Sequence, residues 1–193
     1  MRKLVMWNLI TLDGYFEGRK KWEIDWHEQV WGPELEQLSI EQLKTIGALV
    51  FGRVTYEGMA GYWSTAKGEV AEFMNSLPKI VCSRTLAKTA WQNSTIVRDD
   101  VVEEVSRLKQ EEGKDIFIFG SANLSSTFTQ HNLIDEYRLC LTPIVLGAGN
   151  PLFKSTTERM KLKLAHAKPL ESGCVLLYYH LNGTHNGQGG EGV

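Results

Sequence analysis

The sequence predicts an α/β fold, a mostly parallel central sheet extended near its C-terminus by antiparallel strands. Three observations predict it. Up to about residue 132, short apolar runs alternate with stretches of helical periodicity, as in strands joined by crossover helices. From residue 136, "EYRLCLTPIVLG", "MKLKLAHAK" and "CVLLYYHL" follow one another with no clear helix between them, which suits antiparallel pairing. The 193 residues contain no internal repeat and no linker, so 1–181 are expected to form one domain, followed by a glycine-rich, flexible tail at 182–193.

Residues 3–10 read as a buried strand, and 15–32 as irregular and rich in tryptophan (Trp22, Trp26, Trp31). "PELEQLSIEQLKTIG" reads as a helix, with Pro33 in its first turn and Leu35, Leu38, Leu43 and Ile46 on its apolar face. "ALVFG" is the second strand, helical residues start at Arg53, and "GEVAEFMNSL" is a further helix. "KIVCS" and "STIV" are strands three and four. Asp100 is placed to cap the next helix, with Val101, Val105 and Leu108 on one face and Gly113 ending it. "DIFIFG" is a strand, and "SANLSSTFTQHN" a short helix with Leu124 and Phe128 facing inward. In "MKLKLAHAK", Met160, Leu162 and Leu164 alternate with Lys161, Lys163 and Ala165, a period of two that suits a strand with one wet face.

Composition narrows the function. A formal net charge of −2 gives no broad basic field, so no nucleic-acid partner is expected. No apolar run approaches the ~20 residues that cross a bilayer, so no membrane partner is expected either. "MRKLVMWNLITLDGY" resembles a signal peptide only superficially, because Asn8 and Thr11 break the apolar run and no small-residue cleavage site follows. Cys82, Cys140 and Cys174 lie apart in apolar stretches, as buried thiols in a reducing cytoplasm do. The histidines have no metal-ligand spacing, and no metal site is expected.

Three strand ends carry similar chemistry: "FGRVT" (Gly52, Arg53, Thr55), "CSRT" (Ser83, Arg84) and "FGSANL" (Gly120 to Leu124). Glycine allows close approach to the backbone, a helix start offers free N–H groups, and arginine adds a fork suited to phosphate oxygens. In open α/β sheets ligands bind beyond these strand ends. Together they suit a dinucleotide, although neither G-x-G-x-x-G nor a Walker A motif is present.

The ordered set "TLDGY", "FGRVTYE", "SRTL" and "FGSANLSSTFTQHNLIDEYRLCLTPIVLGAGNPLF" resembles the dihydrofolate reductase-like superfamily, and more closely its riboflavin-biosynthesis branch, the RibD C-terminal domain family, over about residues 2–181. The resemblance implies three layers with helices on both sheet faces, a homodimer through the late strands, and NADPH lying across the sheet's carboxyl edge. Gly52, Arg53 and Thr55 would then approach its phosphates, and Ser83 and Arg84 its 2′-phosphate. Gly120, Ser121, Ala122, Asn123 and Leu124 would cradle the pyrophosphate, with Ile10, Thr11 and Leu12 near the nicotinamide. Asp13 is the first candidate for the catalytic polar contact, ahead of Asp25, His27 and Glu57; His27 is expected on the surface. The implied activity is reduction of a small heterocyclic substrate of pyrimidine or pterin type, resembling 5-amino-6-(5-phosphoribosylamino)uracil reductase. The chain departs from dihydrofolate reductases in that none of Glu34, Glu36 and Glu41 registers with the acid that faces the pterin. It also lacks the zinc deaminase motif to which riboflavin reductases are usually fused. The alternatives are a dihydrofolate reductase, a non-catalytic dinucleotide-binding module and, least favoured, a hydrolase using Cys82 or Cys140.

Overall fold

Among the described residues, eight strands, β5 (Ser94–Val97), β4 (Lys79–Cys82), β3 (Ile46–Gly52), β6 (Asp115–Phe119), β1 (Leu4–Thr11), β7 (Glu136–Thr142), β10 (Val175–Leu181) and β9 (Leu162–Pro169), form one sheet in that order. The computed structural model describes residues 1–154 and 159–181; the expected tail at 182–193 lies outside the described residues. The helices are α1 (Pro33–Leu43), α2 (Arg53–Trp63), α3 (Glu69–Ser76), α4 (Val101–Gln110) and α5 (Ala122–Gln130).

Side-chain alternation gives the sheet two buried faces. Val5, Leu49, Phe51, Val81 and Phe117 pack against α1, α2 and α3 through Ile40, Leu43, Tyr56, Val70 and Met74. Leu4, Met6, Val50, Ile116 and Ile118 pack on the other face against Val105 of α4 and Phe128 of α5. This is the expected three-layer arrangement, and it explains why the central strands read as unbroken apolar runs.

β1 pairs in parallel with β6 and β7, and β3 with β4 and β6. The antiparallel addition is made by one strand: β10 runs against both β7 and β9. β9 is an edge strand, and most of its residues are exposed, Leu164 included at 50%. The alternation read in "MKLKLAHAK" therefore does not produce one buried face there.

Three boundaries differ from expectation. α1 stops at Leu43 because Ile46 already belongs to β3, where it is fully buried. Asp100 does precede α4, but with φ 50 its side chain makes no capping hydrogen bond. Tyr15–Glu17 (β2) pairs with Asn150–Pro151 (β8) in a small second sheet that no local pattern announced. Among the described residues, no helix is long and apolar enough to cross a membrane.

Candidate active site

The carboxyl ends of the central strands open into one cavity of about 600 Å³. Asn8 and Leu9 of β1, Gly52 of β3, Cys82 of β4 and Phe119 of β6 contribute to its wall, as the parallel pairing of these strands requires.

At one end, two glycine junctions interlock. The Gly52 N–H donates to Ser121 Oγ (3.0 Å), and the Ser121 N–H donates to Thr55 Oγ1 (3.0 Å). The Gly120 N–H donates to Asn8 Oδ1 (2.7 Å). Gly120 has φ +57, and a Cβ there would sit 3.1 Å from Thr55 Cγ2, so the junction needs glycine for both conformation and space. Thr55 and Ser121 are buried, and each accepts from a backbone amide, which turns its hydroxyl proton toward another acceptor. The first-turn amides of α5, at Ala122, Asn123 and Leu124, have no acceptor within the helix. These amides, the two hydroxyls and the helix dipole make a cradle for an anion. Arg53 lines the same end and pairs with Glu57 at 3.2 Å on the half-exposed start of α2.

The other end is aromatic, lined by Phe16, Trp22, Trp31 and Trp63, with His27 among them. Glu17 holds this end to the rest of the fold: its carboxylate accepts from the Trp22 N–H and from Asn150 Nδ2 (2.9 Å). His27 is not a free surface residue. Its ring meets Trp26 edge-on at 4.3 Å, and burial pushes its pKa down to about 4 against an opposing pull from Asp25.

α1 presents Ser39, Gln42 and Leu43 to the cavity. Glu34 points elsewhere, pairing with Lys168 at 3.2 Å and accepting from the Glu171 N–H. Glu41 accepts from Gln37 on the surface, and Glu36 is exposed and not among the lining residues. No α1 carboxylate faces the cavity.

The expected site residues thus divide. Gly52, Arg53, Thr55 and Gly120 through Leu124 come together around the cavity. Ile10 and Thr11 end β1 and Leu12 follows in the turn; none of the three lines the cavity, and Ile10 and Thr11 are buried in the fold while Leu12 is exposed. Asp13 also stands outside the lining. Its carboxylate accepts from Thr11 Oγ1 (2.6 Å), the Gly147 N–H (2.7 Å) and the Leu146 N–H (3.3 Å), and the Thr11 bond in particular holds it below the usual carboxylate range. These bonds fasten the turn after β1 to the 146–147 loop. Ser83 Oγ accepts from the Thr85 and Leu86 N–H groups in the turn after β4. Arg84 extends from that turn, 82% exposed and 3.6 Å from an exposed Asp99. Burial pushes the Cys82 thiol up to about 12 and raises that of Cys140 as well, which disfavours the thiolate form a nucleophile needs. Asn8, Ser39, Gln42, Trp22 and Trp63 line the cavity without having been singled out for the site from sequence. The one local signal was Asn8, a polar residue in the middle of an apolar strand.

The parallel sheet with helices on both faces and an antiparallel strand late in the chain has the dihydrofolate reductase-like fold. Within that class the chain belongs to the RibD C-terminal domain family, whose model matches residues 2–176. It is similar to the uncharacterized protein YyaP of Bacillus subtilis (strain 168), 34% identical over 94% of this chain and 96% of that protein. Its fold is shared with a Shewanella sp. PV-4 protein whose name links it to riboflavin biosynthesis, at a TM-score of 0.76 and 20% identity, covering 93% and 99% of the two chains. It is also shared with the dihydrofolate reductase of Enterococcus faecalis solved in complex with NADP(H), at a TM-score of 0.64 and 16% identity, covering 93% and 96%.

Proposed function

We propose that the chain is a reductase that binds NADPH across the ends of β3, β4 and β6 and directs hydride to a small planar heterocycle of pyrimidine or pterin type. The reaction resembles that of 5-amino-6-(5-phosphoribosylamino)uracil reductase. One observation carries the reading: a single cavity contains both an interlocked anion cradle and an aromatic compartment.

The residues fit the cofactor. The first-turn amides of α5 and the hydroxyls of Thr55 and Ser121 suit a pyrophosphate. Arg53 adds positive charge beside them, and Arg84 is in reach of solvent beyond β4, where a 2′-phosphate would be recognised. When bound, NADPH supplies the hydride. The protein's share is to hold the phosphates, to keep water from the aromatic end and to orient the acceptor ring.

A dihydrofolate reductase is the less favoured reading, because a pterin's reduced nitrogen needs proton delivery supported by a buried acid, and α1 offers Ser39 and Gln42 instead. The test is loss of reduced-nicotinamide absorbance with dihydrofolate or with a ribosylaminopyrimidine as acceptor. Turnover of the pyrimidine with slow turnover of dihydrofolate is expected. Dihydrofolate turnover on the order of 10⁴ M⁻¹s⁻¹ or more would reverse the preference.

A further inference from the structure

We propose that Gln42 recognises the hydride acceptor, its side-chain amide donating to an oxo group on the edge of the ring, and that Arg138 is the positioning residue that fixes which way this amide faces. The proposal rests on the reading of the cavity as a reductase site.

Gln42 is held at both ends. It lies in the last turn of α1, where its carbonyl accepts from the Thr45 N–H (2.9 Å) and from Thr45 Oγ1 (2.7 Å). The residue is only 9% exposed and lines the cavity. Its Oε1 accepts from Arg138 Nη1 (3.1 Å). A guanidinium has only donors, so the amide oxygen must face it and the NH₂ group must face away. Nε2 is thereby left unpaired among the described residues without being withdrawn from solvent. Asn8 Nδ2 and His27 Nε2 are withdrawn, so a ligand in the cavity does not reach them.

Arg138 is itself fixed. Its Nε donates to Glu136 Oε1 (2.6 Å), a buried carboxylate whose other oxygen lies 3.6 Å from Lys3 Nζ. Its guanidinium lies over the rings of Phe117 (5.2 Å to the centroid) and Tyr178 (5.0 Å), the latter its partner in the β7–β10 register. A planar group held by a charge-assisted bond and two rings cannot easily turn to let the amide flip. Arg138 does not line the cavity, so it acts there through Gln42.

A fixed NH₂ donor selects a ring edge that carries lone pairs, and a carboxylate in its place would select an edge that carries N–H groups. Ser39, three residues back on the same face of α1, donates its proton to the Leu35 carbonyl (2.8 Å) and keeps a lone pair for a ring N–H. An oxo group next to a ring N–H matches both. The cavity also supplies a surface for the ring's face. Trp22, at φ 63, packs its indole against Gly58 of α2 so closely that a Cβ there would overlap three ring carbons, and the indole lines the wall.

The probes are lumazine (pteridine-2,4-dione) and 2,4-diaminopteridine, which has amino groups in place of the oxo groups. Each is titrated calorimetrically into the full chain saturated with NADP⁺; NADPH affinity is measured separately by thermal shift. Wild type is expected to prefer lumazine. Gln42→Glu keeps an oxygen for Arg138 and turns the donor into an acceptor. It should weaken lumazine by about tenfold or more and tighten 2,4-diaminopteridine, reversing the preference. Arg138→Met frees the amide to turn either way, so the ratio of the two affinities should fall toward one. NADPH affinity should stay within about twofold throughout. A ratio that Gln42→Glu leaves within about twofold of wild type overturns the proposal, and this variant decides the case even if Arg138→Met fails to fold. Parallel loss of both probes and NADPH also overturns it, as the mark of a merely structural role. An unchanged ratio in folded Arg138→Met overturns the positioning role of Arg138. Wild type that binds NADPH but not lumazine, or that prefers the diamino probe, overturns the proposal and leaves the reductase reading standing. Failure to bind NADPH removes both.

Discussion

The two ends of the cavity satisfy their polar groups in opposite ways. At the cradle end, three backbone amides that face the junctions are taken by Asn8, Thr55 and Ser121, so the two loops are locked together by the protein itself. At the aromatic end, His27 Nε2 is buried with no hydrogen-bond partner among the described residues, and Trp22 is held in the left-handed region. A prelocked cradle suits a ligand whose phosphates are always the same. A positioned indole suits stacking on a planar ring. On the proposed reading, cofactor binding and acceptor choice rest on separate parts of this site and can be broken separately.

The largest effect is expected at the cradle. Gly120→Val places a β-branched residue at φ +57 and drives its Cβ toward Thr55. A loss of roughly 2–5 kcal/mol of stability in urea unfolding is expected, with loss of NADPH binding. The aromatic end should respond to acid instead. The folded chain takes up the His27 proton near pH 4 and the unfolded chain near 6.5, so the unfolded state binds more protons between those values. Stability therefore falls as pH drops from about 6.5 to 4, by at most roughly 3 kcal/mol, and this component is level above pH 6.5. His27→Phe should remove that share of the pH dependence, read as the difference between its unfolding midpoints and those of wild type across the range.

Thr55→Val keeps the shape of the cradle but leaves the buried Ser121 N–H without its acceptor. About 1–3 kcal/mol of stability should be lost, and NADPH should bind more weakly. The smallest effect is expected at Arg84, which is 82% exposed and whose contacts solvent screens. Arg84→Ala should weaken NADPH by only a few-fold and leave NADH unchanged. Equal losses for both would place the 2′-phosphate elsewhere, with Arg98, whose guanidinium approaches the Arg84 carbonyl, the next residue to test.

The same contrast governs what the sequence made legible. The cradle is local chemistry: a strand, a glycine and a helix start are contiguous in "FGRVT" and "FGSANL", so the residues could be named before any tertiary contact was known. The interlock between them was not legible, because Ser121 and Thr55 lie far apart in the chain and meet only through the β3–β6 pairing. The aromatic end depends almost wholly on long-range packing. Trp22, Trp26 and Trp31 stood out in composition, but nothing local says that Gly58 receives the Trp22 ring or that His27 turns inward. Asp13 shows the converse. "LDG" marks a polar residue after a strand in either role, and only the 133- and 134-residue reach to Leu146 and Gly147 reveals how its carboxylate is engaged.

If the interlocked cradle holds the phosphates of NADPH, as proposed, the cofactor stabilises the folded chain, and thermal unfolding of the wild type with and without it measures this. At a free concentration 100-fold above the dissociation constant, NADPH should stabilise the fold by roughly 2.7 kcal/mol and raise the midpoint by several degrees, and Gly120→Val should abolish the response. An unchanged midpoint at millimolar NADPH would mean that the cradle does not hold this cofactor.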